Sequence, residues 1–222
     1  MSTKALSRSV LSVLGVVTAL TVLAAAPAAA VPDLQLYVEN AYYDDATESW
    51  VTADTDFDIQ IIGANEALAG VKLAAALVPN NVDPASGSVV LDPVGYGSQT
   101  AFTYGVPIMG SGAPLPPHGI YPTWYTTLPV GDFAPQYPVY NMQPGESGSA
   151  MGQIVNVHVT ISGFTHVHFD AYNHTVTCKQ KVRFAPFSHD ADSYVPEPGT
   201  LALMLSGVGA MFGACLRKRR TI

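Results

Sequence analysis

Cysteine is almost missing from this chain of 222 residues: Cys178 and Cys215 are the whole supply. Cys215 falls inside an apolar stretch near the C-terminus, so Cys178 is alone in the rest of the chain and no intramolecular disulfide is available there. Set between Thr177 and Lys179, Cys178 reads either as a buried strand thiol or as a reactive one. About 165 residues lie between the two distinctive ends, enough to bury a sizeable core without a staple.

Positive charge is the second shortage. Six of the ten Lys and Arg residues sit at the ends, as Lys4, Arg8, Arg217, Lys218, Arg219 and Arg220. Between Val31 and Val195 only Lys72, Lys179, Lys181 and Arg183 face sixteen acidic residues, a net of −12 where the whole chain carries −7. A surface that negative repels nucleic acid and other anionic polymers, so nucleic-acid binding is excluded. It suits divalent cations, basic partners or plain colloidal solubility. Catalytic signatures are the third absence: there is no nucleophile elbow, phosphate loop, His-Glu-x-x-His helix or Cys-x-x-Cys pair. No serine stands in a context that would activate it. The expectation is a protein that is not an enzyme and that needs no cofactor.

What the chain does have is concentrated at its ends. Lys4 and Arg8 precede an apolar run from Val10 to Ala24, and Ala28-Ala29-Ala30 provides small residues at a cleavage point. This order reads as a secretory signal peptide, residues 1–30, with Val31 opening the mature chain; an uncleaved anchor helix is the alternative. At the other end, Val195-Pro196-Glu197-Pro198-Gly199 leads into an uncharged stretch from Thr200 to Leu216, then Arg217-Lys218-Arg219-Arg220. As a helix that stretch would be about 26 Å long, slightly short of a bilayer core of about 30 Å, a gap that snorkelling arginines can close. A helix with no polar face does not belong on a soluble surface. The basic cluster would stay on the cytoplasmic side. Pro196 and Pro198 lack an N–H and hold their preceding residues extended, leaving an accessible strip around Glu197.

Hinge, span and basic cap in that order, over residues 195–220, resemble the PEP-CTERM sorting tail. The resemblance implies an exosortase, a membrane thiol transpeptidase, as processing partner. It also implies a transient membrane anchor and delivery to the cell surface or an exopolysaccharide matrix. A permanent single-pass anchor is the alternative reading of the same residues.

The middle, residues 31–194, reads as one all-β domain, a β-sandwich of eight to ten strands, with 195–222 as the sorting and anchor tail. Leu34, Leu36 and Val38 alternate with polar neighbours. Val51 to Ile61 keeps strict period two over eleven residues and predicts one long strand. Val71 to Leu77 predicts another, although its alanines leave a helix open. Asp83 to Gly87 is a turn before a strand at Ser88–Leu91, and Gln99–Val106 is the next strand. Residues 107–118, with four prolines, form a loop or crossover. Residues 143–152 tip a hairpin. Three runs follow, 154–161, 164–172 and 175–184, with tight hairpins expected at Ser162-Gly163 and Asn173-His174.

Two segments, Leu115-Pro116-Pro117-His118-Gly119-Ile120-Tyr121-Pro122 and Phe184-Ala185-Pro186-Phe187-Ser188-His189-Asp190-Ala191, resemble the shared segments of the choice-of-anchor N family. That resemblance implies alternative C-terminal surface-attachment signals and supplies neither catalytic residues nor a substrate.

Within this domain, His166-Val167-His168-Phe169-Asp170 is the densest cluster of metal-ligating side chains. Two-residue spacing in a strand puts His166, His168 and Asp170 on one face, where His174 or His158 could join them around zinc or copper. The competing reading is a solvated polar face, with Val167, Phe169 and Ala171 turned to the core. Asp54, Asp56 and Asp58, with Asp44, Asp45 and Glu48 before them, suit solubility or loose cation bridging, because a flat strand cannot wrap calcium. His189 and Asp190 either close a hydrogen-bonded turn or join a metal site with His118. Tyr121, Trp124, Tyr125, Phe133, Tyr137 and Tyr140 either pack inside or offer stacking faces to sugars. Taken together, the sequence predicts a structural or matrix-associated surface protein, with an exopolysaccharide-binding module built on Tyr121, Trp124 and Tyr125 as the alternative.

Overall fold

The structure is a computed structural model and describes residues 30–93, 101–116, 119–175 and 182–195. Residues 1–29 and 196–222 lie outside the described residues, and with them nearly all of the expected signal peptide, Pro196, Glu197, Pro198 and the basic cluster Arg217, Lys218, Arg219 and Arg220. Among the described residues no helix is long and apolar enough to cross a membrane.

Two sheets face each other. The first runs β1 (Leu34–Val38), β4 (Asp56–Ala64), β10 (Ser149–Ser162) and β6 (Ser88–Pro93), with β9 (Tyr137–Tyr140) on the N-terminal part of β10. The second runs β2 (Tyr42–Asp44), β3 (Ser49–Thr52), β12 (Asp190–Tyr194), β11 (His166–Thr175), β5 (Leu68–Leu77), β8 (Thr123–Phe133) and β7 (Thr103–Gly105). All neighbours are antiparallel except β12 and β3, which run parallel. The fold is the expected all-β, sandwich-like one.

The core lies between the sheets, and period two explains which residues fill it. Leu34, Leu36, Ile59, Ile61, Val89, Leu91, Val157 and Val159 come from one sheet, and Leu73, Leu77, Leu128, Val167 and Phe169 from the other. Phe57 and Phe169 meet edge to face across the gap, with ring centroids 6.0 Å apart. The alanine-rich segment is β5, a central strand; its Val71, Leu73, Ala75 and Leu77 face this core.

Three expectations are corrected. The long strand over residues 51–61 is two strands, β3 and β4, in different sheets. The alternation breaks at the corner Ala53–Thr55, which is exposed, and on β3 Trp50, not Val51, faces the core; at the corner the Asp54 N–H bonds Thr52 Oγ1 and the Asp54 carbonyl accepts from Ser193 Oγ. Ser162-Gly163 is not a hairpin: β10 and β11 belong to opposite sheets, and this link carries the chain across. Gly163 has φ +78°, and a Cβ there would stand 2.4 Å from the Ser86 carbonyl oxygen. Asn173-His174 is not a turn either, since β11 continues to Thr175 against β5. Asn173 is buried and bonded to Arg183 through both backbone and side chain, which removes the need for a turn. The third run is described only from residue 182, so Cys178 lies outside the described residues.

Candidate functional site

Strand β11 has a second face, opposite the core. There His166, His168, Asp170 and Tyr172 alternate with Val167, Phe169 and Ala171, as the spacing requires. β5 sets Ala76 beside His168 and Ala74 beside Asp170, small side chains that leave room above them. On the other flank β12 pairs antiparallel, with His168 opposite Asp192. That register brings Asp190 and Asp192 to the same face. Residues Met109, Leu115 and Tyr121 from the proline-rich loop, with Val182 and Phe184, pack with Ala74 and Tyr172 into a second apolar cluster over this face.

The polar face is therefore covered. His168 is 4% exposed, Asp170 3%, Asp190 1% and Asp192 8%, which disposes of the solvated-face reading for these positions. Only His166 stays half-buried, at the rim.

Contacts within the cluster are specific. Asp192 Oδ1 accepts from His168 Nδ1 at 3.0 Å and from His166 Nε2 at 2.8 Å. Asp170 Oδ2 accepts from the Tyr121 hydroxyl at 2.7 Å. His168 Nε2 lies 3.5 Å from Asp170 Oδ1 and 3.8 Å from Asp190 Oδ2. Neither Asp190 oxygen accepts a hydrogen bond among the described residues, although both are shielded from solvent. A buried carboxylate in that condition is costly.

The ionisation of these groups follows from the crowding. Burial alone would lower the His168 pKa, but the charges and hydrogen bonds of Asp170 and Asp192 hold it well above the ordinary imidazole value. Burial pushes the Asp190 carboxyl well up, and the charge of Asp170 pushes it further. Asp192 is held below the usual carboxylate range, because hydrogen bonds from His166 and His168 outweigh its burial. Burial, then Asp170, raises the Tyr121 phenol well above its usual value.

Three residues can hold a metal ion: His168, Asp170 and Asp190 offer ligand atoms that all lie within 4.8 Å of one another. His168 and Asp170 belong to one cluster in the sequence and Asp190 to another. His166 is not in the group, because its imidazole is turned to Asp192. Asp190 was considered only beside His189 and His118; the signal that could have found it is Asp-x-Asp at 190–192, with the same two-residue spacing as His166, His168 and Asp170.

The other candidates go elsewhere. His189 binds Ser188 Oγ through Nδ1 and Asn141 Oδ1 through Nε2, so both nitrogens serve a buried hydrogen-bonded turn and the His189 metal reading fails. His118 lies outside the described residues, as does the side chain of His174. His158 is on the other sheet, exposed between Asp58 at 2.8 Å and Asp56 at 3.5 Å. Hydrogen bonding to Asp58 raises its pKa. Tyr121 and Tyr125 are half-buried and stacked edge to face at 5.9 Å, and Trp124 packs against the main core. The exposed aromatics of that stretch are Tyr137 and Tyr140, on β9.

Comparison with known proteins bears on the tail. Residues 195–220 match the PEP-CTERM protein-sorting motif. No curated protein matches the chain. Among solved structures, one described by the words "AvmM Catalyzes Macrocyclization in Alchivemycin A Biosynthesis" is similar at 8% identity and a TM-score of 0.35, covering 76% of this chain and 91% of that one. A likeness that loose carries no functional argument.

Proposed function

We propose that this chain is an exported, non-enzymatic surface protein, released from a transient membrane anchor by an exosortase, whose β-sandwich has a structural role at the cell surface or in an extracellular matrix. The observation that carries the reading is the sorting motif at residues 195–220 and its placement. β12 ends at Tyr194, and the Val195 N–H still donates to the Thr165 carbonyl at 2.8 Å. The motif thus begins on a residue still tied to the folded body, and the next in sequence, Pro196, has no N–H to donate. The signal-peptide pattern of residues 1–30 and the strongly acidic domain agree with export.

Intact mass of the protein recovered from its cells tests this. The expected species begins at Val31 and has lost the segment beyond the motif. In Glu197→Ala, with Pro196→Ala and Pro198→Ala, the tail should remain and the protein should stay in the membrane fraction. Recovery of the whole chain, Met1 to Ile222, from the soluble cytosol would overturn the reading.

A second reading, exopolysaccharide binding, is favoured by the exposed rings of Tyr137 and Tyr140, 64% and 61% accessible. Exposed aromatic faces stack on sugars. Pull-down on the native polymer that is undiminished in the Tyr137→Ala, Tyr140→Ala double variant would remove it.

A further inference from the structure

We infer that His168, Asp170 and Asp190 form a buried site for a divalent first-row transition cation, and that the bound ion pins β12, the strand that carries the sorting tail, to β11. The site is independent of the sorting assignment: it can be tested on the purified chain whether or not the tail is processed.

Geometry comes first. A tetrahedral ion with bonds of about 2.0–2.2 Å sets its ligand atoms about 3.3–3.6 Å apart. His168 Nε2 stands 3.5 Å from Asp170 Oδ1 and 3.8 Å from Asp190 Oδ2, within a few tenths of an ångström of that spacing. The pattern of hydrogen bonds points the same way. A metal-binding imidazole ordinarily gives its other N–H to a carboxylate, which fixes the tautomer. His168 does this through Nδ1 to Asp192, and its Nε2, whose proton a metal ion would displace, faces Asp170 and Asp190. Asp170 spends Oδ2 on the Tyr121 hydroxyl and turns Oδ1 to the same point.

Asp190 supplies the independent observation. It is 1% exposed, and neither oxygen accepts a hydrogen bond among the described residues. A buried carboxylate without a donor calls for a positive charge, and a cation between the three side chains provides it. Mixed imidazole and carboxylate donors suit zinc and its neighbours. Calcium, which takes six to eight oxygens, is poorly served by a set of this size. Burial of all three ligands shields the ion from bulk solvent, and the fourth position of a tetrahedral ion would fall to water.

The consequence lies in which strands are joined. His168 and Asp170 belong to β11, whereas Asp190 opens β12. β12 is short, five residues, and pairs with β11 only from Ala191 to Tyr194. An ion bound at its first residue ties the strand down at the end away from the tail, so a pull on the tail is resisted along the strand's whole length.

The full chain, purified in detergent and stripped with chelator, should take up one equivalent of Zn2+ in titration calorimetry and in elemental analysis. Its melting temperature should rise with Zn2+ and not with the same concentration of Ca2+. Amide exchange at residues 191–194 should slow. Asp190→Asn removes a ligand and a buried charge together, so the metal-free variant should melt no lower than the metal-free wild type yet show no response to Zn2+. Should that variant fail to fold, Tyr121→Phe keeps every ligand and should weaken Zn2+ roughly ten- to hundredfold. His158→Gln, on the other sheet, should change nothing. Binding well below one equivalent, Zn2+ binding unaffected by Asp190→Asn or, if that variant fails to fold, by Tyr121→Phe, or unchanged exchange at 191–194 in the zinc-bound protein would each overturn the inference.

Discussion

Phe169→Ala probes the joint between the two sheets. The ring is fully buried on β11, flanked by Val167 and Ala171 in the same core, and meets Phe57 of the opposite sheet edge to face at 6.0 Å. Truncation forfeits the transfer free energy of the ring and leaves a cavity between two hydrogen-bonded sheets that cannot collapse into it. Such Phe→Ala changes cost about 3–5 kcal/mol. The lost aromatic pair, itself worth about 0.5–1.5 kcal/mol, makes the upper half of that range the expectation. Set against a typical total of about 5–15 kcal/mol, the loss is severe but not certain to unfold the protein. At about 2–4 °C per kcal/mol for a domain of this size, the melting temperature should fall by roughly 8–20 °C. Urea titration followed by tryptophan fluorescence and circular dichroism should show a lower midpoint with an unchanged slope. A loss below about 1 kcal/mol, the scale of a surface substitution, would refute the packing of β11 against β4 described above.

Two further outcomes follow from the same geometry. Burial lowers the pKa of His189, so the folded protein resists its protonation. That contribution is intact above the unfolded value of about 6.5 and is lost as the pH falls from there through the lower folded value. His189→Gln should flatten stability between pH 7 and pH 5 relative to wild type in urea titrations; a slope as steep as the wild type's would refute the assignment. Gly163→Ala places a Cβ at φ +78° and 2.4 Å from the Ser86 carbonyl oxygen, and should cost at least about 1–3 kcal/mol by thermal unfolding, whereas a neutral result would contradict the sheet-switching link.

Period two and the two ends made much of this protein legible from its residues alone. Leu34, Leu36 and Val38, and Phe57, Ile59 and Ile61, face the core as their alternation requires, because a strand sends successive side chains to opposite faces whatever its partner. Alternation does not say which sheet a strand joins. Val51 and Ile61 share one unbroken pattern in the sequence yet lie on strands of different sheets, and the corner at Ala53–Thr55 shifts the count: on β3 it is Trp50 that packs in the core, while Ala53 and Thr55 are exposed. Gly163 and Asn173 misled for a related reason: a glycine marks a tight path and an asparagine a polar one, and either is as much at home in a crossover or a buried strand as in a hairpin.

The candidate site divides along the same line. His166, His168 and Asp170 were visible because two-residue spacing puts them on one face of β11. Whether that face is wet or covered was not, because the cover comes from a proline-rich loop and from residues 182–190, far along the chain. Only the tertiary structure brings Asp190 and Asp192 alongside, leaves Asp190 without a donor among the described residues, and turns His189 away to Asn141. The sorting motif, by contrast, is determined by the sequence itself: its hinge, apolar stretch and basic cap are properties of consecutive residues and need no partner elsewhere in the fold. Local chemistry can be read along the chain; burial and encounter between distant strands exist only once the chain has closed on itself.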